Sequence, residues 1–455
     1  MTASSDFATD LLVIGAGACG LAAAIAAHDA GISVAIAEKR DRPGGNSSLS
    51  TGSIPGAGSK YQNAAGIQDS AEQMIADLLT VSGHHDADAL TNLMAHQSAP
   101  LCEWLIDDLG ARMELITAYK HVGHTVERLH APRSRRGQDL VDDLLGFVSD
   151  RGIPLAVGNA VTELIERDGA VVDARIGDDV IACRKVLLAT NGFAANRALV
   201  ARFCPEIAEA EYFGAPGSTG EAIEWGEKLG AALGNTAAYQ GYAAVAYPQG
   251  ALLSWTTIEK GGILVGRDGR RFGNEGAGYS GFAPNVMAQG EFAWAIYDQR
   301  IHAVAMAEEE YAEMSDMDGI RWADTPAELA AMVGIDGAGL KATIDQYNAA
   351  AQGHSTDPFD RQHFELAPLM PPFGVVTVKP GLFHTQGGLM VDQHARVLRA
   401  DGQPIANLFA GGGAAVGISG RSGAGGYASG NGLLTALGLG RIGGLRAAAE
   451  VRGEV

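Results

Sequence analysis

Residues 11–14 are a short apolar run, and the six residues after them read Gly15-Ala16-Gly17-Ala18-Cys19-Gly20. An alanine-rich stretch of helical character follows, then Gly31, then a second apolar run over 32–37 that ends in Glu38. This order predicts a strand, a tight turn, a helix and a second strand. Glycines at such a turn let the backbone approach a pyrophosphate closely. The helix start offers unpaired N–H groups and the positive end of a dipole. A carboxylate at the end of the second strand accepts hydrogen bonds from ribose hydroxyls. The unit therefore predicts a dinucleotide site. It also removes the alternative of a membrane span over 11–27, which the glycines interrupt.

Composition narrows the partners. Hydrophobic residues are 47% of the chain and charged residues 19%, which describes a folded globular protein. With 455 residues there is room for two or three domains and a large core. The net charge of −20 repels a phosphate backbone or an anionic bilayer. No nucleic acid and no membrane are expected as partners; small molecules or other proteins are. Cys19, Cys102, Cys183 and Cys204 are widely spaced, with no CxxC, and read as reduced core residues. The opening MTASSDFATD has no basic n-region. The expected location is cytoplasmic, and no metal site is expected.

Helical spacing appears over 69–79, 87–95, 101–109 and 138–148. Residues 157–176 read as a β-hairpin with Asp168-Gly169 at its turn. Residues 185–189 read as a strand ending at Thr190-Asn191-Gly192. From about Tyr239 to His384 tryptophans, tyrosines and prolines concentrate, and no phosphate-type glycine loop occurs. Strands are expected again over 388–391, 395–398 and 408–410. The glycine-rich stretch 411–432 then opens onto a helix at Leu433. The expected fold class is α/β: a Rossmann-like domain with a parallel sheet, helices and a β-hairpin, split in sequence by an α+β capping domain. The boundaries are 1–238, 239–385 and 386–455.

The pieces VIGAGACGLAAAIAAHDAG, EKRDRPGGNSSLSTG, LLATNGFAANRALV, KGGILVGRDGRRFGNE, HTQGGLMVDQHARVL, PIANLFAGGG and GYASGNGLLTALGLGRIGG cover nearly the whole length. Through them the chain resembles the fumarate reductase/succinate dehydrogenase flavoprotein superfamily. The resemblance implies FAD. It puts Gly15, Gly17, Ala18, Cys19 and Gly20 at the pyrophosphate turn, and Glu38 with Lys39 at the adenosine end. Gly45, Asn46, Ser47, Ser48, Thr51 and Gly52 would lie along the pyrophosphate and isoalloxazine. Val161, Thr190, Asn191 and Gly192 would approach the adenosine half. Asn431, Gly432 and Leu433 would set a helix N-terminus near the flavin pyrimidine ring, where a dipole end stabilises reduced flavin. Family members carry Glu or Asn near the ribityl chain where this chain has Gly412 and Gly413. Members with covalent flavin carry a histidine in the segment matching 44–52, which has none here, so non-covalent FAD is implied. There is no second strand–GxGxxG–helix unit for NAD(P).

The resemblance also bears on chemistry. Fumarate reductases hold two carboxylates with His and Arg and deliver a proton through Arg. Here Tyr279 falls at the proton-donating Arg, Tyr427 at a carboxylate-binding Arg and Tyr242 at a substrate-binding His; His384 is kept. A dicarboxylate stripped of its cations would lose several kcal/mol, on the order of a buried pair broken. Tyrosines at these places resemble 3-ketosteroid dehydrogenases and dehydrogenases of cyclic ketones such as 4-oxocyclohexanecarboxylate. That implies introduction of a C=C bond next to a ketone, with Tyr279 as base, assisted by Tyr242 or His384. Tyr427 with Ser429 or a backbone N–H would form the oxyanion hole. Arg421 is a candidate for a single substrate carboxylate. Tyr119, His124 and His130 either line the substrate mouth or sit in a solvated loop, and Arg133, Arg135 and Arg136 read as a solvent-facing cluster. The partners expected are a ketone substrate and an external electron acceptor. Two alternatives stand beside this: a flavin-dependent ene-reductase, and an electron carrier without substrate chemistry.

Overall fold

The first apolar run is the buried half of a strand, Ala8–Ile14. Val34–Ala37 pairs with it in parallel on one side and Asp179–Leu188 on the other. Leu155–Ala156 and Pro404–Ala410 extend the parallel array at its two ends. A strand buried on both faces needs a continuous apolar run, which LLVI, VAIA, VLL and LFA supply. The registers align the strand ends. Ile14 stands opposite both Ala37 and Leu188, and Ala410 stands opposite Leu188. Four parallel strands thus end level at one edge of the sheet. The structure, a computed structural model, describes residues 8–118 and 120–455.

The helix after the turn, Ala18–Asp29, packs against the closing helix, Asn431–Arg452. The GLGRIGG run, residues 438–444, explains how closely. A Cβ on Gly440 would lie 2.3 Å from the Cys19 carbonyl oxygen, and one on Gly444 2.3 Å from that of Ala23. Two bare positions four residues apart let the two backbones touch along one face. The hairpin forms as Val161–Arg167 and Ala170–Ile176, antiparallel. Asp168 and Gly169 have φ of 52° and 80°, as a two-residue primed turn requires.

Two predicted helices are one. Asp88–Glu103 runs through Pro100 and passes into a π-helical turn, Trp104–Asp108, closed by the Leu109 N–H on the Trp104 carbonyl at 3.0 Å. Burial of Leu101, Cys102 and Leu105 outweighs the hydrogen bond that proline cannot make. The closing helix starts at Asn431, two residues before the predicted Leu433, because left-handed Gly430 (φ 83°) turns the chain into it.

The chain divides into two units. The first runs to Cys204 and includes Gly214–Tyr239 and His384–Val455; the second is Pro205–Phe213 with Gln240–Phe383. Residues 205–213, read from sequence as part of the first domain, join the second because Glu211 and Tyr212 pair in parallel with Gly381 and Leu382. The second unit is built on a mixed sheet in which Ile263–Val265, Ala293–Asp298 and Phe373–Thr385 are successive antiparallel neighbours, with Ala237–Ala246 next. Tyr297, Tyr311 and Tyr347 are fully buried in it. So is an ion cluster: Arg271 pairs with Glu275 at 2.6 Å and Asp357 at 2.5 Å, and Arg361 reaches Glu275 at 3.5 Å. Buried charges persist only when paired in this way. All four cysteines are buried and none is in a disulfide. Among the described residues no helix is long and apolar enough to cross a membrane.

Candidate active site

Because four strands end level, the loops after them leave from one edge. They carry Gly15, Gly17, Ala18, Cys19 and Gly20; Glu38; Thr190, Asn191 and Gly192; and Gly412 with Gly413. Ligands of open parallel sheets bind at such an edge. Gly15 has φ 110°, and a Cβ there would lie 2.3 Å from the Ala189 carbonyl oxygen, so only glycine fits. The segment with Gly45, Asn46, Ser47 and Ser48 is tied to this turn. The Gly44 N–H donates to the Ala16 carbonyl at 2.8 Å and the Ala18 N–H to Ser47 Oγ at 3.2 Å. Thr51 and Gly52 come next in the chain, Thr51 Oγ1 lying 2.8 Å from Ser53 Oγ. Val161 comes to the Glu38 end because the Asn159 N–H donates to the Glu38 carbonyl at 2.9 Å.

Glu38 is buried; its carboxylate accepts from the Ala16 and Arg40 N–H groups, both at 2.8 Å. Each oxygen keeps a further lone pair for a ribose hydroxyl. Lys39 is different from the expectation. Its ammonium donates to Thr219 Oγ1 at 2.7 Å and is paired with Glu221, so its charge is spent inside the protein. Among the buried polar atoms that have no partner within the described residues are Ser48 Oγ, Thr190 Oγ1 and Asn431 Oδ1. They come from three segments separately assigned to the cofactor. Unpaired buried polar atoms are costly, about 1–3 kcal/mol each. A polar dinucleotide that pairs them fits this donor and acceptor set.

The closing helix begins beside the catalytic candidates of the first unit. Tyr427 and Ser429 are half-buried and directly precede Gly430 and Asn431, with Leu433 buried in the first turn. His384 donates from Nδ1 to the Thr385 carbonyl at 3.2 Å, which leaves Nε2 an acceptor. That Nε2 faces the helix start: a Cβ on Gly432 would lie 3.7 Å from it. Burial holds the His384 pKa below the ordinary histidine value, so the ring is neutral. Arg421, the candidate for a substrate carboxylate, has a carboxylate partner within the protein. Its guanidinium is paired with Asp86 at 2.9 Å and its side chain is 66% exposed. Tyr119 lies outside the described residues. Arg133 and Arg136 are exposed, Arg133 on Glu114 at 3.0 Å. Arg135, read as solvent-facing, is instead half-buried and donates to Ser53 Oγ at 3.2 Å. His124 and His130 are not in a solvated loop. His130 sits in the buried strand Leu129–Pro132 with Nε2 3.1 Å from Ser59 Oγ.

In the second unit the Tyr242 and Tyr279 rings lie 5.0 Å apart between centroids, and Phe383 stacks on Tyr242 at 5.2 Å. The Gly241 N–H donates to Ser280 Oγ at 3.1 Å, which sets the two tyrosines side by side. Tyr242 is buried and donates its hydroxyl to the Leu253 carbonyl at 3.0 Å. Burial pushes its pKa well up. Tyr242 thus presents its ring to Tyr279 while its hydroxyl donates to a main-chain carbonyl. The short turn bearing Tyr279 comes after Glu275, which is fixed by Arg271 and accepts the Leu264 N–H at 3.2 Å. Phe383, Ser280 and Glu275 do not stand out in the sequence. The spacing of Arg271 and Glu275 in GRRFGNE is the one signal for them, since one helical-type turn separates a buried cation from its anion.

A family model described as FAD binding domain matches residues 10–433. The chain belongs to this FAD-binding family. A probable fumarate reductase of Shewanella frigidimarina (strain NCIMB 400) is 30% identical over 449 residues, 97% of this chain and 75% of that protein. The 4-oxocyclohexanecarboxylate 2-dehydrogenase of Sinomonas cyclohexanicum is 26% identical over 503 residues, 88% of this chain and 86% of that one. Among solved structures, the 3-ketosteroid-Δ4-(5α)-dehydrogenase of Rhodococcus jostii RHA1, in complex with 4-androstene-3,17-dione, superposes with a TM-score of 0.80 at 25% identity, covering 98% of both chains. The chain is a flavin-dependent oxidoreductase of the fumarate reductase superfamily that acts on carbon–carbon bonds, and its cofactor is FAD.

Proposed function

We propose that this flavoprotein is a dehydrogenase of cyclic or steroid-like ketones, introducing a C=C bond α,β to the carbonyl. The observation that carries the reading is the aromatic group of the second unit, Tyr279 against Tyr242 against Phe383. Such a surface suits a flat apolar ring and offers nothing to a second carboxylate. The dehydrogenases of 4-oxocyclohexanecarboxylate and of a 3-ketosteroid among its relatives support the substrate class.

In this reading Tyr279 takes the proton from the α-carbon, and the C–H electron pair becomes an enolate whose charge sits on the ketone oxygen. Tyr427, with Ser429 or an N–H of the first turn of the closing helix, donates to that oxygen; one such donor contributes about 3–4 kcal/mol. Bound FAD, held non-covalently, supplies the acceptor for the hydride that leaves the β-carbon. An external acceptor then removes the two electrons. A phenol near pKa 10 is a weak base at neutral pH, so Tyr279 needs its phenolate stabilised.

A second reading, an ene-reductase running the same groups in reverse, is favoured by the 30% identity to a probable fumarate reductase. Anaerobic mixing of the FAD-loaded protein with saturated cyclic ketones separates the two. Flavin bleaching by the ketone is expected. Bleaching only by an electron donor, with recolouring by an enone, would establish the reductase. No response to either would leave an electron carrier.

A further inference from the structure

Arg128 is fully buried and sits at the centre of a charged group in the first unit. Its Nε and one terminal nitrogen form a fork on Asp69, both at 2.9 Å, and its other terminal nitrogen reaches Asp77 at 2.8 Å. Asp69 also accepts from Gln62 Nε2 at 2.8 Å, and Asp77 from the Thr125 N–H at 3.0 Å and from Gln73 Nε2 at 2.9 Å. The two carboxylates and the guanidinium are thus paired and saturated with hydrogen bonds, the condition under which buried charge holds a structure rigid.

The same guanidinium meets His124 Nδ1 at 3.2 Å. An arginine always donates, so Nδ1 is the acceptor and the ring proton is on Nε2. His124 Nε2 then donates to the Ser429 carbonyl at 2.8 Å. The Ser429 N–H in turn donates to the Val122 carbonyl at 2.9 Å. Both main-chain groups of Ser429 are therefore held by residues 122–124. Between them Gly123 (φ 82°) lies against Ala428, where a Cβ would come within 2.5 Å of the Ala428 Cβ. Burial, with the Arg128 charge opposing a second proton, holds the His124 pKa down to about 4. The donor to Ser429 is present throughout the neutral range.

We propose that His124, fixed as its Nε2–H tautomer by the Asp69–Arg128–Asp77 group, is a positioning residue for the reaction: it clamps Tyr427-Ala428-Ser429 where their hydroxyls meet the substrate oxygen. This rests on the reading of Tyr427 and Ser429 given above. It also explains why a buried, triply paired arginine lies so far in sequence from the segment it serves.

The test uses FAD-loaded wild type, His124→Phe, His124→Gln and Tyr427→Phe, with amide hydrogen exchange of the peptide containing Ser429 and steady-state ketone oxidation. Phenylalanine keeps the ring and removes the donor; glutamine restores a donor near the Nε2 position. His124→Phe is expected to speed Ser429 exchange at least ten-fold and to lower kcat at least ten-fold, with KM and FAD affinity within about three-fold. His124→Gln is expected to recover most of both. Unchanged exchange and kcat in His124→Phe, while Tyr427→Phe is strongly impaired, overturns the clamp and leaves the functional reading standing. Tyr427→Phe at wild-type turnover overturns that reading, and with it any catalytic purpose for the clamp. If His124→Phe does not fold, failure of His124→Gln to hold Ser429 exchange at the wild-type rate overturns the proposal.

Discussion

The carboxyl edge of the parallel sheet and the tyrosine group of the second unit are organised by opposite means. At the sheet edge the backbone does the work: four strands end level, Gly15 has no room for a side chain, and the groups offered are mostly main-chain N–H and small hydroxyls. In the second unit side chains do it. Tyr279 is set by a ring contact with Tyr242, a serine hydrogen bond and a buried ion cluster four residues upstream. Backbone-built sites depend on register and glycine, and leave a strong local pattern. Side-chain-built sites depend on long-range packing, and leave single residues whose roles show only when their partners are known.

The largest expected effect breaks the backbone side of the contrast. Gly15→Val puts a branched side chain into a left-handed position with a carbonyl 2.3 Å from its Cβ. The variant is expected to purify without yellow colour, and its absorbance at 450 nm per protein measures the loss. Full FAD occupancy would mean that the turn does not face the cofactor. Next is Tyr279→Phe, which should leave FAD bound and lower kcat for ketone oxidation by about 10²-fold or more, the range for loss of a general base. A turnover within a few-fold of wild type would remove Tyr279 from the chemistry and leave the ring stack as packing alone.

Legibility divides along the same line. The strand–turn–helix–strand unit and Glu38 can be read directly because each step is a local rule of spacing. The hairpin at Asp168-Gly169 is legible for the same reason, through its turn residues. What does not show is partnership. Lys39 has the sequence of a free cation, yet Glu221, far along the chain, sits on it. Arg421 has the sequence of a cation open to substrate, yet Asp86 holds it. His124, His130 and Arg135 carry the polar character of a loop, yet fold inward because residues 129–132 pair as a strand with Ile54 and Pro55. A sequence shows a charge but not the counter-charge packed against it. Spacing alone also splits Asp88–Glu103 at Pro100, where tertiary burial carries the helix on.

A smaller effect sharpens the contrast from the side of stability. Burial holds His124 and His130 down to about 4, against an unfolded value near 6.5. Both lie in the first unit. As pH falls through about 6.5 the unfolded chain takes up protons that the folded chain refuses until about pH 4. Their stabilisation is therefore complete above that window and lost as the pH drops through it. Two such groups give a slope of about 2–3 kcal/mol per pH unit. His85 and His384 are shifted in the same direction. Denaturant unfolding at pH 7 and pH 5 measures this, and equal stability at both would mean that the histidines are solvated.

Tyr242→Phe should give the smallest change, and it distinguishes ring from hydroxyl. The substitution keeps the ring against which Tyr279 and Phe383 pack and removes the hydroxyl that donates to the Leu253 carbonyl. That leaves one buried carbonyl unpaired, at a cost of about 1–3 kcal/mol in stability. If Tyr242 acts through its ring, kcat should stay within about three-fold of wild type while the melting temperature falls, and Tyr242→Leu should then lower kcat much further because Tyr279 loses its platform. If its hydroxyl instead takes part in proton transfer, phenylalanine and leucine would impair turnover alike, and the pH profile of kcat would move with both. The buried hydroxyl, donating to a main-chain carbonyl with its pKa raised, argues for the first outcome. The second unit would then contribute one ionising phenol, Tyr279, set on an aromatic base that does no proton chemistry itself.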